Sequence, residues 1–226
     1  MNITFKGIAP ESAGAWLASI PVYTPSAKVR NTWQIPNRMG ELLEIAYGRT
    51  NGTFDILFHS KSQNWETAKR SIEKWLTGTG KLVMSDATDA YYEVQDVTIT
   101  EITKRDSTYG RIRAIFTVFP YEFLTSGDTG ITTFPITNNA MDSMPLYKIV
   151  GSGNGTLTVN GHNMTYEVDG TLYIDTRTFE AYDANNANKN SKINGDYEGL
   201  WLKSGSNTIS ATAGTLTVYP RWGYVK

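Results

Sequence analysis

Leu157-Thr158-Val159-Asn160-Gly161-His162-Asn163-Met164-Thr165-Tyr166-Glu167-Val168-Asp169-Gly170-Thr171-Leu172-Tyr173-Ile174 is the stretch that decides the fold. Leu157 and Val159, then Met164, Tyr166 and Val168, then Leu172 and Ile174 recur at every second position. That period places them on one face of a strand. Asn160-Gly161 and Asp169-Gly170 punctuate the alternation. Both dipeptides tolerate positive φ, which a two-residue hairpin turn demands. The reading is a succession of short strands joined by tight turns. Upstream, Gly151-Ser152-Gly153-Asn154-Gly155 is followed by a strand and lacks a Lys-Ser/Thr, so it is no phosphate loop. Downstream, residues 183–195 form a polar loop without the acidic spacing of a calcium loop, and position 187 is Ala. Asn207–Ser210 and Leu216–Tyr219 read as closing strands. Residues 126–226 are therefore expected to be a β-sandwich.

The first half is more aromatic and more charged. Gly52–His59, Leu82–Met84, Tyr91–Thr100 and Arg111–Phe119 carry strand patterns. One helix interrupts them. Asn64 suits the N-cap and Glu66 the first turn. Trp65, Ala68, Ile72, Trp75 and Leu76 share a face at helical spacing. Glu66–Arg70 and Lys69–Glu73 are i,i+4 pairs, and Gly78 is a plausible stop. Packing on a sheet accounts for the two Trp of this helix. Thr125-Ser126-Gly127-Asp128-Thr129-Gly130 is nearly uncharged and turn-forming, which marks a linker and predicts domains at 1–125 and 126–226.

Composition excludes several activities. With 21 Lys+Arg against 22 Asp+Glu, the net charge of −1 gives no basic field for gathering phosphates. A Cys count of zero removes disulfides, thiolate zinc sites and thiol nucleophiles. The 2 histidines, His59 and His162, fall in different predicted domains, so neither a nucleophile–base pair nor a metal centre assembles. No catalytic residue, metal or cofactor is expected. Asp86 with Asp89, and Glu41 with Glu44, are the nearest approach to a glycosidase pair. Turn capping and solvated strands explain them better. A cell-wall hydrolase would have to draw its acid from Asp86 or Glu122. No apolar run is long enough to span a bilayer, and Met1–Gly7 reads as a strand, so folding in a cytoplasm is expected.

What remains is surface. The segment Val22–Gly40 reads as long and irregular, broken by Pro25 and Pro36. Long irregular segments in compact domains are usually functional. Trp33, Ile35, Arg38 and Met39 near its end are the candidate subunit interface. Tyr166, Trp201 and Trp222 are candidates for stacking on a glycan or touching a partner. A carbohydrate-binding module is thus the alternative to a structural protein.

The order of signals resembles the distal tail protein (Dit) family of long-tailed, non-contractile bacteriophages. The residues carrying the resemblance begin with Lys6-Gly7-Ile8 and Ile35-Pro36-Asn37-Arg38-Met39-Gly40. The helix end Ile72–Leu76, Gly80-Lys81-Leu82-Val83 with Asp86, Tyr91-Tyr92 and Phe119-Pro120-Tyr121-Glu122-Phe123 follow. The second half adds Ser143–Tyr147, Tyr173–Thr176, Asn194–Tyr197 with Leu200, Gly205–Ser210 and Tyr219–Trp222. The joint order, not any one motif, carries the likeness. Asn37 departs from the family's Gly at the arm turn, though Asn also tolerates left-handed geometry. No carbohydrate-binding insertion is present.

The resemblance implies a mainly β protein: an N-terminal split β-barrel with one packed α-helix, forming a hexameric ring, and a C-terminal galectin-like β-sandwich projecting from it. Implied partners are other copies of the chain, the major tail tube protein, a tail-associated lysin or fibre protein and receptor-binding or baseplate proteins. Phage DNA would pass the channel transiently. The implied location is the virion tail tip, assembled in the host cytoplasm.

Overall fold

The computed structural model describes residues 2–37 and 39–226. Alternating apolar residues along long strands build its first half. In chain order come β1 (Ile3–Phe5), β2 (Trp16–Leu17), β3 (Val22–Thr24), β4 (Lys28–Gln34), β5 (Glu41–Arg49), β6 (Gly52–Lys61), α1 (Trp65–Trp75), β7 (Gly80–Met84), β8 (Ala87–Lys104) and β9 (Tyr109–Leu124). All but β4 and β5 join one curled sheet, a half-barrel ordered β1-β7-β8-β9-β6-β2, with β3 also on β6. β6 and β9 pair antiparallel from Gly52↔Val118 to Lys61↔Tyr109. That register lays Phe54, Ile56 and Phe58 beside Ile112, Ala114, Phe116 and Val118, all buried. Burying a large apolar side chain yields about 1.5–3 kcal/mol, so this face outweighs any surface contact.

The helix is where its sequence places it. The Asn64 side chain accepts hydrogen bonds from Glu66 N (3.0 Å) and Thr67 N (3.3 Å). Trp65, Ile72, Trp75 and Leu76 are buried in the same core, with Trp75 edge-on to Phe58 at 5.4 Å. Trp65 lies against Gly110 on β9, where a Cβ would stand 2.4 Å from the indole. Gly78 follows the helix end at φ +79, and Lys69–Glu73 stand 3.9 Å apart. Glu66 meets Lys104, at 3.6 Å, from the long β8 strand.

The second compact unit is Phe123–Tyr224, and it is all β apart from short 3-10 turns. Its strands are β10 (Ile136–Asn138), β11 (Leu146–Val159), β12 (His162–Asp175), β13 (Glu180–Asp183), β14 (Ile193–Asn194), β15 (Gly205–Asn207), β16 (Ile209–Ala211) and β17 (Thr215–Tyr219); the last strand of the chain, β18 (Gly223–Val225), pairs with β9 in the first sheet. Six of them form one sheet around the β11–β12 hairpin, and β10 pairs with β15 separately. Tyr147, Ile149, Leu157 and Val159 from β11 join Met164, Tyr166, Val168, Leu172 and Ile174 from β12 in a single core.

Three sequence expectations change here. Asn160-Gly161 is the hairpin turn, at φ 51 and 87, but Asp169-Gly170 is not a turn. β12 runs through it, and Gly170 pairs with Gly151 in mid-strand. Beyond this point β17 pairs with β11 at residues 146–150 and β16 at residues 157–159. Gly170 (φ 88) supplies the backbone freedom for a bend, and a Cβ on Gly151 would sit 2.7 Å from Gly214 Cα. Bends and turns need the same left-handed geometry, so the two look alike in sequence. Thr125–Gly130 is also no free linker: Thr125–Asp128 is a 3-10 turn, and Gly127 O accepts from Arg221 N at 2.9 Å. Finally, Val225–Lys226 belong to the first unit.

A buried ion pair closes the second unit. Arg221 Nη1 and Nη2 hold Asp175 Oδ1 and Oδ2 at 2.7 and 2.8 Å, with side chains 16% and 7% exposed. Burial by itself would raise the Asp175 carboxyl. The Arg221 hydrogen bonds and charge, with the Arg177 N–H, outweigh it and hold the carboxyl below the ordinary carboxylate range. A depressed folded pKa gives stability that is complete above the unfolded value and lost as pH falls through the folded one. Asp175→Asn should therefore cost about 3–5 kcal/mol at neutral pH, because the largely buried Arg221 guanidinium loses the carboxylate that offsets its charge. It should also flatten the loss of stability below about pH 4, measured by urea denaturation as a function of pH.

Candidate functional site

β4 and β5 form a sheet of their own. Their pairing runs from Lys28↔Arg49 through a bulge to Arg30↔Ile45 and on to Gln34↔Glu41. Every residue of β4 is exposed. Pro25 and Pro36 flank β4 and do not interrupt it, so the segment expected to be irregular is a β-hairpin arm. Pro cannot donate to a ladder, and the positions outside the strand ends cost nothing. Asn37 turns the tip at φ 64, the left-handed geometry its side chain permits, and Gly40 completes it at φ 85.

The arm displays the side chains a protein ordinarily buries. Trp33 is 58% exposed, Ile35 41% and Met39 101%. Val29 is exposed nearer the root. Lys28, Arg30, Glu41 and Glu44 supply both signs of charge. Arg38, the fourth residue expected at this interface, lies outside the described residues. At the root, Thr50 N donates to Ala27 O (2.8 Å) and Ala27 N to Thr50 Oγ1 (2.9 Å). A two-stranded ribbon is marginal in water, and one with apolar residues on its surface suits a binding element.

The other candidates disperse. Tyr166 is buried in the second core with its hydroxyl bonded to Ala213 O, so its ring offers no stacking face. Burial raises its hydroxyl pKa. Trp201 is half-buried and donates to Thr176 O at 3.4 Å, and Trp222 packs partly against the second core. Beside Tyr166 runs an open polar groove of about 460 Å³, lined by Asn154, Thr165, Glu167, Lys192 and Asn194; Lys192 and Glu167 pair across it at 2.6 Å. Asp86 is exposed in the β7–β8 turn. Glu122 is engaged by Lys226 at 2.8 Å and by the Tyr92 hydroxyl at 2.9 Å. His162 follows the β11–β12 turn, exposed. His59 stacks between Trp16 (6.1 Å) and Tyr109 (6.2 Å), an aromatic row across β2, β6 and β9. Strand register creates that row, and nothing in the local sequence announces it. Among the described residues no group of acids and histidines is placed to hold a metal, and no helix is long and apolar enough to cross a membrane.

No protein-family model matches the chain, and no curated relative does. Among solved structures, the crystal structure of SPP1 Dit (gp 19.1) superposes with a TM-score of 0.62, covering 96% of each chain at 12% identity. The fold is Dit-like. SPP1 Dit is described as a paradigm of the hub adsorption apparatus in phages that infect Gram-positive bacteria. The Dit-like fold spans essentially the whole chain, both units included, with no large region left over.

If the arm is a binding element and not part of the core, its side chains should be nearly silent in folding. Trp33→Ala and Met39→Ala are expected to shift the unfolding free energy by less than about 0.5 kcal/mol. Trp75→Ala, in the core, should cost about 3–5 kcal/mol by the same urea titration.

Proposed function

We propose that this chain is a structural protein of a bacteriophage tail, a hub ring at the distal end that joins the tail tube to the tip. The exposed apolar arm carries the reading, and the Dit-like fold supports it. Heterologous contacts between identical copies close into rings, and an arm that lands on the next copy is such a contact. The first unit, a split barrel, is the ring-forming domain, and six copies are the expected number. Trp33, Ile35 and Met39, with Arg38, are the arm's contact residues. Trp33 is the anchor, since interface energy concentrates in large aromatics. The second unit, galectin-like in this reading, meets the tail-associated lysin or fibre protein and any receptor-binding or baseplate proteins. Its Trp201 and Trp222 are the proposed aromatic contacts.

The work is mechanical: the ring holds its neighbours together and turns nothing over. Its channel passes DNA from the major tail tube protein toward the host. A net charge of −1 suits a conduit that does not grip phosphates. The location is the virion tail tip. A carbohydrate-binding module is the less supported reading, because Tyr166 is buried.

Assembly tests this directly. Light scattering and negative-stain microscopy of the purified chain, alone and mixed with its tail partners, should show rings. Trp33→Asp should weaken ring formation by about tenfold or more, which corresponds to about 1.4 kcal/mol. Antibody to the chain should label the tip of intact tails. A chain that stays monomeric with its partners and is absent from tails would contradict the reading.

A further inference from the structure

The arm leaves the first unit at a root where Ala27 and Thr50 bond to each other and Asn51 Nδ2 donates to Gln95 Oε1 on β8 at 2.7 Å. One leg enters from β3, which pairs with β6 at Val22↔Asp55 to Thr24↔Thr53. The other leg runs directly into β6. Ser26, between β3 and β4, is buried, while Val22, Thr24, Pro25, Ala27 and Lys28 around it are exposed. It meets Lys226, 200 positions along the chain. Ser26 N donates to Lys226 O at 3.2 Å, and the Ser26 hydroxyl donates to the same oxygen.

Lys226 is itself fixed. Its backbone N–H donates to Pro120 O on β9 at 3.4 Å, and its ammonium pairs with Glu122 Oε2 at 2.8 Å. The other oxygen of Glu122 accepts from the Tyr92 hydroxyl on β8 at 2.9 Å. Tyr92 is buried in the first core. Burial and the bond to Glu122 push its hydroxyl pKa well up, so it remains a donor at neutral pH. The Glu122 side chain is 15% exposed and that of Lys226 36%, so the pair is shielded from water on one side and held in place by a neutral donor. A continuous path runs from core to Tyr92, Glu122, Lys226, Ser26 and the arm.

We propose that Val225–Lys226 is a strap that seats the β4–β5 arm and sets the direction in which it leaves the first unit. Without the strap, Ser26 loses Lys226 O as the acceptor of its backbone N–H and its hydroxyl, Pro25 beside it is exposed, and Ala27 bonds across to Thr50 on the arm's other leg. The root then pivots on β3 and on the chain passing into β6. A binding element aimed in advance loses less freedom on docking than one that swings. The strap is a property of the single chain, and it stands whether the arm's partner is a second copy or another protein.

The absence of native Cys gives a clean measurement. Nitroxide labels at Gln34→Cys on the arm and Lys61→Cys at the end of β6, diluted with unlabelled chain, report one intramolecular distance by pulsed dipolar spectroscopy. The distribution should be narrow in the parent. Lys226→Glu, which sets two carboxylates against each other, should broaden it roughly twofold, and adding Glu122→Lys should narrow it again. Ser26→Ala, too small a change to unfold the unit, should broaden it with the ion pair intact. Near-UV circular dichroism confirms that the core is retained in each variant. A distribution already broad in the parent, or one that both Lys226→Glu and Ser26→Ala leave unchanged, overturns the strap.

Discussion

A two-stranded ribbon has no inside. Residues on either face of β4–β5 meet water unless something outside the ribbon covers them, and two strands alone do not stabilise themselves. The molecule tolerates Trp33, Ile35 and Met39 in the open because the rest of the first unit needs nothing from them. Among the described residues its core is built elsewhere: β6 and β9 supply the apolar face, and α1 covers it with Trp65, Ile72 and Trp75. The constraint then runs from packing to function. On the proposed reading, an element that exposes aromatic and apolar side chains is stabilised by what it binds.

Position, not residue type, decides what a Trp does in this chain. Trp65 and Trp75 sit on the buried face of a helix and hold it to a sheet. Trp33 sits next to the last residue of β4, on a two-stranded ribbon, and is exposed. The second unit shows the same rule with tyrosines. Tyr147 and Tyr166 turn inward, and each spends its hydroxyl on a backbone carbonyl, of Leu200 and Ala213. Tyr173 and Tyr182 stack on each other at 5.2 Å and stay partly exposed.

Local patterns made much of this legible in the sequence. α1 announces itself through Asn64, Glu66 and an apolar face at helical spacing, because capping and amphipathicity act within one or two turns. β6 and β9 announce themselves through period-two alternation. Gly170 misleads, since a bend in a long strand and a hairpin turn require the same positive φ. The arm was legible as a surface element and not as a hairpin, because Pro25 and Pro36 hide strand ends that β4 and β5 define only by pairing with each other. Tyr166 looks available in sequence and is buried, because which face of β12 turns inward is set by β11. Ser26 and Lys226 gave no signal at all, being contacts between distant positions that only the folded chain brings together.

Hydrogen exchange of the arm amides, in the free chain and in the assembled tail, tests the central claim most directly. In the free chain β4 and β5 should exchange quickly while β6 and β9 stay protected, since only the latter are backed by a core. In the assembly the arm amides should become protected, with little change in β6 and β9. An arm that exchanges equally fast in both states would contradict the account, because nothing would then be covering it.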